Sequence, residues 1–463
     1  MLINKIFDTA IIGGGVAGTS LLFTLAKYTD LKNIILFEKY DEASQLNSNP
    51  KANSQTLHVG DIESNYSYEK AQVVKRASSM VSNYIHNFDE VDKTGYIRDK
   101  MLLAVGEEEI TQLKERYKEF KTLYPYLELW NEEDLQKMEP KLLEGRKEPI
   151  MAMGAKGQIT TVDFKKLSES FTQQALDTNK NIQMRYNEEV TKIERNEDNS
   201  YTITTDTTVF QAKSVVVNAG SYSLLFAQDM GYGKSYATLP IGGSFFFTKE
   251  KLLNSKVYTM QNPKLPFAAV HADPDLTQEW NTRFGPTAFA LPKLERYHDL
   301  HLKDLFHALN LDKDATEVYF NLFKDSTIRN YIFRNFLEEL PIVGKEVFIK
   351  DARKVIPSLK ASDIRYADGY GGMRPQIVDK KNHELLLGEA KISEDGITFN
   401  MTPSPGATSS LSIALQDAKE ICLHLGKTFD EKKHKEEIES RKAPTLLDPF
   451  ATQQTANISA MLI

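Results

Sequence analysis

The chain has 463 residues. At roughly 150 residues per domain, that length implies about three compact units, or two with an interleaved chain. Lys and Arg number 57 and Asp and Glu 64, giving a net charge of −7, a poor match to nucleic acid. A hydrophobic share of 41% excludes a wholly disordered chain. The single cysteine, Cys422, excludes an internal disulfide framework, a multi-cysteine zinc site and a cysteine-ligated iron–sulfur cluster. No metal is expected. One cysteine also fits a reducing compartment.

The first elements form one motif. Thr9 to Ala26 is eighteen residues without a charge, but four are glycines, and Asp8 spoils a secretory signal. The stretch therefore reads as a folded unit. Phe7–Ile12 is a buried strand. Gly13, Gly15 and Gly18 follow in G-x-G-x-x-G spacing and open a helix with Ala17, Leu21, Leu22 and Leu25 on one stripe. Asn33–Phe37 is a second strand, ending at Glu38, twenty residues after Gly18. A lone G-x-G-x-x-G is weak, but strand, glycines, helix, strand and acid together describe a dinucleotide cradle. The turn brings backbone N–H groups to a pyrophosphate, and Glu38 accepts from ribose hydroxyls. Gly231-Tyr232-Gly233 and Gly369-Tyr370-Gly371-Gly372 lack this context, so no second nucleotide fold is visible. That favours FAD reduced by a small substrate over a nicotinamide enzyme.

Further along, Lys51 to Tyr66 is a polar loop and Ser67 to Asn87 a helix. Glu107 to Leu143 reads as charged helix, with Trp130 as a packing anchor. Val162 to Leu176 is amphipathic. Glu188–Glu194 and Tyr201–Ala212 alternate like strands around a hairpin loop at residues 196–200. Lys213–Gly220 is a buried strand. Residues 240–300 carry a second sheet, and Leu302–Leu340 is largely helical. Gly396–Met401 is a strand that turns at residues 402–408 into a helix ending near Leu425. Lys427–Lys442 holds six basic and five acidic residues, a balanced surface helix. Thr455–Ile463 reads as a tail. The expected fold is α/β, a Rossmann-type domain (1–80, 150–235, 345–426) interleaved with a mixed-sheet substrate domain (81–149, 236–344), then a helix and tail (427–463). Such chains place a pocket between domains.

The chain resembles FAD-dependent malate:quinone oxidoreductases, within the group that includes 2-hydroxyglutarate dehydrogenases and amino-acid oxidases. The likeness runs from about Phe7 to Leu425. It rests on Gly13–Gly18 with Glu38, on Lys51–His58, Val217–Ser221, Pro240–Ser244, Val270–Asp273, Phe284–Pro286, Gly372–Gln376 and Ser404–Ala407. The resemblance implies FAD contacts at Gly13, Gly15, Val16, Ala17, Gly18, Glu38, Lys39, Ser54, Gln55, Thr56, Val190, Ala219, Gly220, Gly372, Gly406 and Ala407. It implies oxidation of L-malate to oxaloacetate, with electrons passing to a membrane quinone. A histidine suits the base, since its pKa lies near working pH. His271 is the first candidate, with Asp273 to orient it; i, i+2 spacing in a strand also merely puts two side chains on one face. His58 is the second candidate, as base or as packing against the flavin. The dicarboxylate asks for two cations, Arg374 first and Arg283 second. Backbone N–H groups at Gly406 and Ala407 would stabilise charge on the reduced flavin.

Another 2-hydroxy-acid dehydrogenase, an amino-acid oxidase and a non-catalytic flavin-binding scaffold stay open. Absence of a signal and a lipid-soluble acceptor imply a cytoplasmic protein, peripheral on the inner face of the cell membrane. Nothing in the sequence sets the oligomeric state.

Overall fold

The computed structural model describes residues 6–261, 269–298, 302–324, 326–340, 343–386, 390–401 and 405–441. The expected tail at 455–463 and the motif residue Ser404 lie outside them.

Three larger sheets carry the chain, and Gly95–Ile97 pairs with Ile159–Val162 as a small fourth. The first has eight strands, and its spine is parallel: Ile397–Met401, Val209–Val217, Ile6–Ile12, Asn33–Phe37 and Asn181–Arg185. The central strands Ile6–Ile12 and Asn33–Phe37 are covered on both faces, which explains their largely apolar sequences. Alternation divides Ile6–Ile12 between two cores. Ile11 joins Leu21, Leu22, Leu25, Ala414 and Ala418 under the helices Val16–Tyr28 and Gly406–Leu425. Ala10 and Ile12 join Phe37, Val217, Leu224 and Ile377 on the opposite face. This is the doubly wound α/β unit that the glycine motif announces.

The second sheet also has eight strands, in the order Ile364–Tyr366, Phe246–Thr248, Thr282–Gly285, His271–Pro274, Lys256–Thr259, Lys100–Val105, Ile150–Ala155 and Glu128–Trp130. The third has four: Phe289–Ala290, Tyr236–Gly242, Met373–Asp379 and Glu384–Leu386. Strand membership departs from the sequence division at four strands, two of them Ile364–Tyr366 in the second sheet and Glu384–Leu386 in the third. Ile150–Ala155 pairs antiparallel with Lys100–Val105 along its whole length, in the second sheet. Met373–Asp379 pairs with Tyr236–Gly242 in the third sheet. These strands were assigned to the nucleotide unit, because pairing between segments so far apart in the chain leaves no local trace.

Three local expectations need correction. The helix expected over 107–143 breaks into Glu107–Leu123, the strand Glu128–Trp130 and the helix Glu132–Met138. Pro125 cannot donate to a helical bond and disfavours helix at the residue before it. Trp130 then packs onto Gly154, where a Cβ would lie 2.3 Å from its ring. The strand expected over 201–212 is two strands, because Thr205 N bonds Thr208 O at 2.8 Å in a turn. The balanced run after Lys427 is not simply a solvated face. His434 and Ile438 are buried, with the His434 ring edge-on to Tyr28 at 5.0 Å. Among the described residues, no helix is long and apolar enough to cross a membrane.

Gly18 sets the approach of the first helix to the first strand. A Cβ there would sit 1.9 Å from the Gly13 carbonyl oxygen. Gly18→Ala should therefore cost about 1–3 kcal/mol of stability through overpacking. Urea unfolding checks this, and an unshifted midpoint would show that the contact has slack.

Candidate active site

A cavity of about 1090 Å³ runs between the sheets from the glycine turn to Arg374. Its walls include Gly13, Gly15, Val16, Ala17, Glu38, Lys39 and Val190 at one end. Ser54, Thr56, His58, Ala219, Gly220, Gly372, Arg374, Gly406 and Ala407 also line it. Of the residues expected to touch FAD, only Gly18 and Gln55 are off the wall. Gly18 serves packing, as above.

At the nucleotide end the turn is shaped by its neighbours. Gly13 has φ +104°, and a Cβ would lie 2.4 Å from the Asn218 carbonyl. The first helical N–H, on Val16, donates to Ser48 Oγ at 3.0 Å, and no side chain caps the helix from Gly15. Glu38 closes the turn: its Oε2 accepts from Gly14 N at 2.8 Å and its Oε1 from Tyr40 N at 3.0 Å. Burial raises the Glu38 pKa against these donors. Lys39 is paired with Glu295. Asn218 presents a buried Nδ2 with no partner among the described residues, while its Oδ1 accepts from Asn400 at 3.0 Å. An open helix N-terminus, close backbone, a strand-end carboxylate and an orphaned amide donor suit a pyrophosphate and a ribose. The cavity thus fits FAD.

The loop after the second strand is held from several sides. Asn47 Oδ1 accepts from Met373 N at 3.0 Å. Thr56 Oγ1 and Tyr258 Oη are 2.9 Å apart. His58 N donates to Thr408 Oγ1 at 3.1 Å, which ties the loop to the start of the last long helix. Gln55 turns inward with φ +54° and is fully buried. Its Nε2 donates to Asp275 at 2.9 Å and to Pro50 O at 3.0 Å, and its Oε1 accepts from Leu276 N at 3.0 Å. It is a structural residue, a correction to its expected flavin contact.

The expected catalytic group splits in two. His271 Nδ1 does meet Asp273 Oδ2, at 2.9 Å. Yet His271 and Asp273 are buried and off the cavity wall, and the His271 ring stacks on Tyr258 at 4.5 Å. Burial pushes the His271 pKa down to about 4, more than Asp273 can offset. Arg283 is also off the wall and fully buried. It donates to Asp273 at 2.9 Å, Asp275 at 2.6 Å, Asn53 O at 3.1 Å and Ser54 O at 2.8 Å. Lys256 adds a bond to Asp273 at 2.8 Å and one to Ser54 O at 3.2 Å. Burial would raise Asp273, but Arg283 and Lys256 hold it far below the carboxylate range. Both terminal nitrogens of Arg283 are thus engaged by protein groups, while its buried Nε has no partner among the described residues. The reason is register: Asp273 and Arg283 are directly opposed across two strands.

Arg374 and His58 behave differently. Arg374 is half-buried on the cavity wall and makes no hydrogen bond or ion pair among the described residues. Burial lowers its pKa, and an entering carboxylate would relieve that cost. His58 lies on the same cavity, with Nδ1 2.7 Å from Glu63 Oε1. Burial opposes ionisation of Glu63, but His58 keeps its pKa low. With Nδ1–H donating to Glu63, Nε2 is left as an acceptor. Sequence reasoning missed Glu63, Lys256, Tyr258 and Asp275. Only Glu63 had a local signal, five residues beyond His58 in the same polar loop.

A sequence model of the malate:quinone oxidoreductase family matches residues 5–456. The chain is 51% identical over 442 residues to a probable malate:quinone oxidoreductase of Campylobacter jejuni, covering 93% of this chain and 99% of that one. It is 45% identical over 433 residues to a malate:quinone oxidoreductase of Helicobacter pylori, covering 92% and 96%. Among solved structures it resembles the glycine oxidase of Geobacillus kaustophilus, with TM-score 0.62, 18% identity and coverage of 90% and 95%. It also resembles the FAD-bound L-α-glycerophosphate oxidase of Mycoplasma pneumoniae, with TM-score 0.61, 20% identity and coverage of 90% and 94%. Those two likenesses show the fold. The chain belongs to the malate:quinone oxidoreductase family, FAD-dependent enzymes that oxidise malate with a quinone as acceptor.

Proposed function

We propose that Arg374 binds a carboxylate of L-malate and that His58 takes the proton from its C2 hydroxyl. The single observation that carries this is the pairing of an uncompensated guanidinium with an open imidazole on one cavity. FAD, when bound, supplies the acceptor for the hydride leaving C2. The chain's own residues do the rest. Arg374 offers a planar fork to one carboxylate and fixes the substrate's orientation. Glu63 holds the His58 ring so that Nε2 receives the hydroxyl proton, and it stabilises the imidazolium that results. Loss of that proton and of the C2 hydride leaves oxaloacetate. His271, Asp273, Arg283 and Lys256 serve as a support that fixes the Asn53 and Ser54 carbonyls. The protein works at the cytoplasmic face of the membrane as a peripheral enzyme; among the described residues no helix is long and apolar enough to cross it.

Anaerobic addition of L-malate should bleach the flavin's visible absorption, while 2-hydroxyglutarate and D-amino acids should not. A flavin that stays oxidised would overturn the substrate reading. Arg374→Ala should lower kcat/KM for malate roughly a hundredfold or more, with FAD content retained. Equal loss of FAD would make Arg374 structural. In stopped-flow flavin reduction, His58→Ala should slow the step by about 10²–10⁴, whereas His271→Gln should change it far less. The reverse ranking would return the base to His271.

His271 also has a signature in stability. Its pKa falls on folding from the ordinary 6.5 to about 4. Between these values the unfolded chain binds the proton and the folded one does not, so stability is lost as pH falls from 6.5 toward 4. His271→Gln should flatten this limb by up to one proton, about 1.4 kcal/mol per pH unit. Urea titrations at several pH values read the slope, and an unchanged slope would count against a neutral buried imidazole.

A further inference from the structure

Fifteen large hydrophobic side chains are exposed among the described residues, and all four phenylalanines in that group fall between residues 302 and 338. They are Phe306, Phe320, Phe333 and Phe336, at 57%, 59%, 62% and 54% exposure. Leu302 and Leu311 are exposed in the same stretch, on the helix Leu302–Leu309 and just beyond it. Isolated exposed leucines need no explanation, but a run of exposed phenylalanines marks a contact surface.

These side chains are not loose ends of a core. The helices Lys313–Lys324 and Ser326–Glu338 each spend another face on the third sheet. Ala315 and Val318 pack on Ala237 and Val378, and Tyr331 packs against Ile241 and Ala288. Ala237 and Ile241 alternate along one strand, so both helices cover the same face of that sheet. Asn335 and Glu338 are buried with Tyr331's face of the helix, while Phe333 and Phe336 are not. The apolar exposure therefore lies on the side turned from the sheet. The inner side leads to the active site, because Tyr331 packs against Ile241, whose register partner on the neighbouring strand is Arg374. One helix, about 10 Å across, separates that arginine from the outer surface.

We infer that this outer face rests on the lipid bilayer and brings the Arg374 end of the cavity to the quinone pool. The inference rests on quinone being the acceptor. A lipid-soluble acceptor must be met at the bilayer, and among the described residues no helix crosses it. Phe and Leu on the outside of short helices are the side chains that enter the acyl–headgroup boundary. The charge on this stretch is balanced, with five Lys or Arg against six Asp or Glu over residues 302–338. Attachment is consequently apolar and not an attraction to anionic headgroups.

The test uses the FAD-loaded full chain and phosphatidylethanolamine/phosphatidylglycerol vesicles carrying a quinone. The wild type should float with the vesicles and stay bound in high salt. The triple variant Phe320→Ser, Phe333→Ser, Phe336→Ser should keep its FAD and its malate-driven reduction of a soluble dye. Its floated fraction should fall roughly tenfold or more, and reduction of vesicle quinone should fall with it. Unchanged flotation and quinone reduction would overturn the inference. So would a variant that becomes a smaller species in sedimentation while still floating, since a second copy would then cover the face. Failure of dye reduction in the wild type would instead strike at the malate reading, leaving the two outcomes distinct.

Discussion

The buried pairing of Arg283 with Asp273 and Asp275 is the interaction on which the site depends. Ion pairs this deep gain little over apolar packing, and breaking one is expensive because it strands a charge. Their value lies in direction. Arg283 and Lys256 have donors left after their carboxylates, and these go to the Asn53 and Ser54 carbonyls. Gln55, held by Asp275, completes the grip in a left-handed backbone conformation. A polar loop with few apolar anchors thereby gains a fixed path along the cavity.

That loop joins what the sheets keep apart. From its start, Ser48 meets the first helix of the nucleotide unit and Asn47 meets the backbone just before Arg374. At its far end His58 meets the last long helix through its backbone and Glu63 through its ring. His58, Arg374 and the nucleotide cradle, from three separate stretches, thus share one frame. Small shifts in the loop would move all of them together, which is why a fully buried charge lattice is placed under it. Preorganisation of this kind holds the reacting groups in place before substrate arrives.

What was legible in the sequence follows the range of the interactions. The glycine turn, its helix and Glu38 form within thirty residues, so spacing alone described them. The pairing of His271 with Asp273 was also local and correctly anticipated as a contact. Its meaning was not, because burial on that strand is decided by Thr282–Gly285 and Lys256–Thr259 on either side. The pairing of Arg283 was hidden for the same reason: its partners arrive by strand register. Arg374 was legible through its motif, yet its lack of a protein counter-ion is a property of the folded cavity.

The contrast between the two arginines gives a general way to read this site. Both are buried enough that an unpaired charge is costly, and both sit near the same loop. Arg283 meets two carboxylates, which hold its pKa above the usual value against the burial penalty. Arg374 has no such partner, and its pKa is lowered by burial. A guanidinium does not give up its proton in a protein, so the folded chain retains an unmet demand for an anion at Arg374. On the proposed reading, a substrate carboxylate meets that demand and brings the C2 hydroxyl onto the cavity that His58 shares. Binding and proton removal would then be coupled through one cavity, while the carboxylates on Arg283 hold that arginine off the cavity wall.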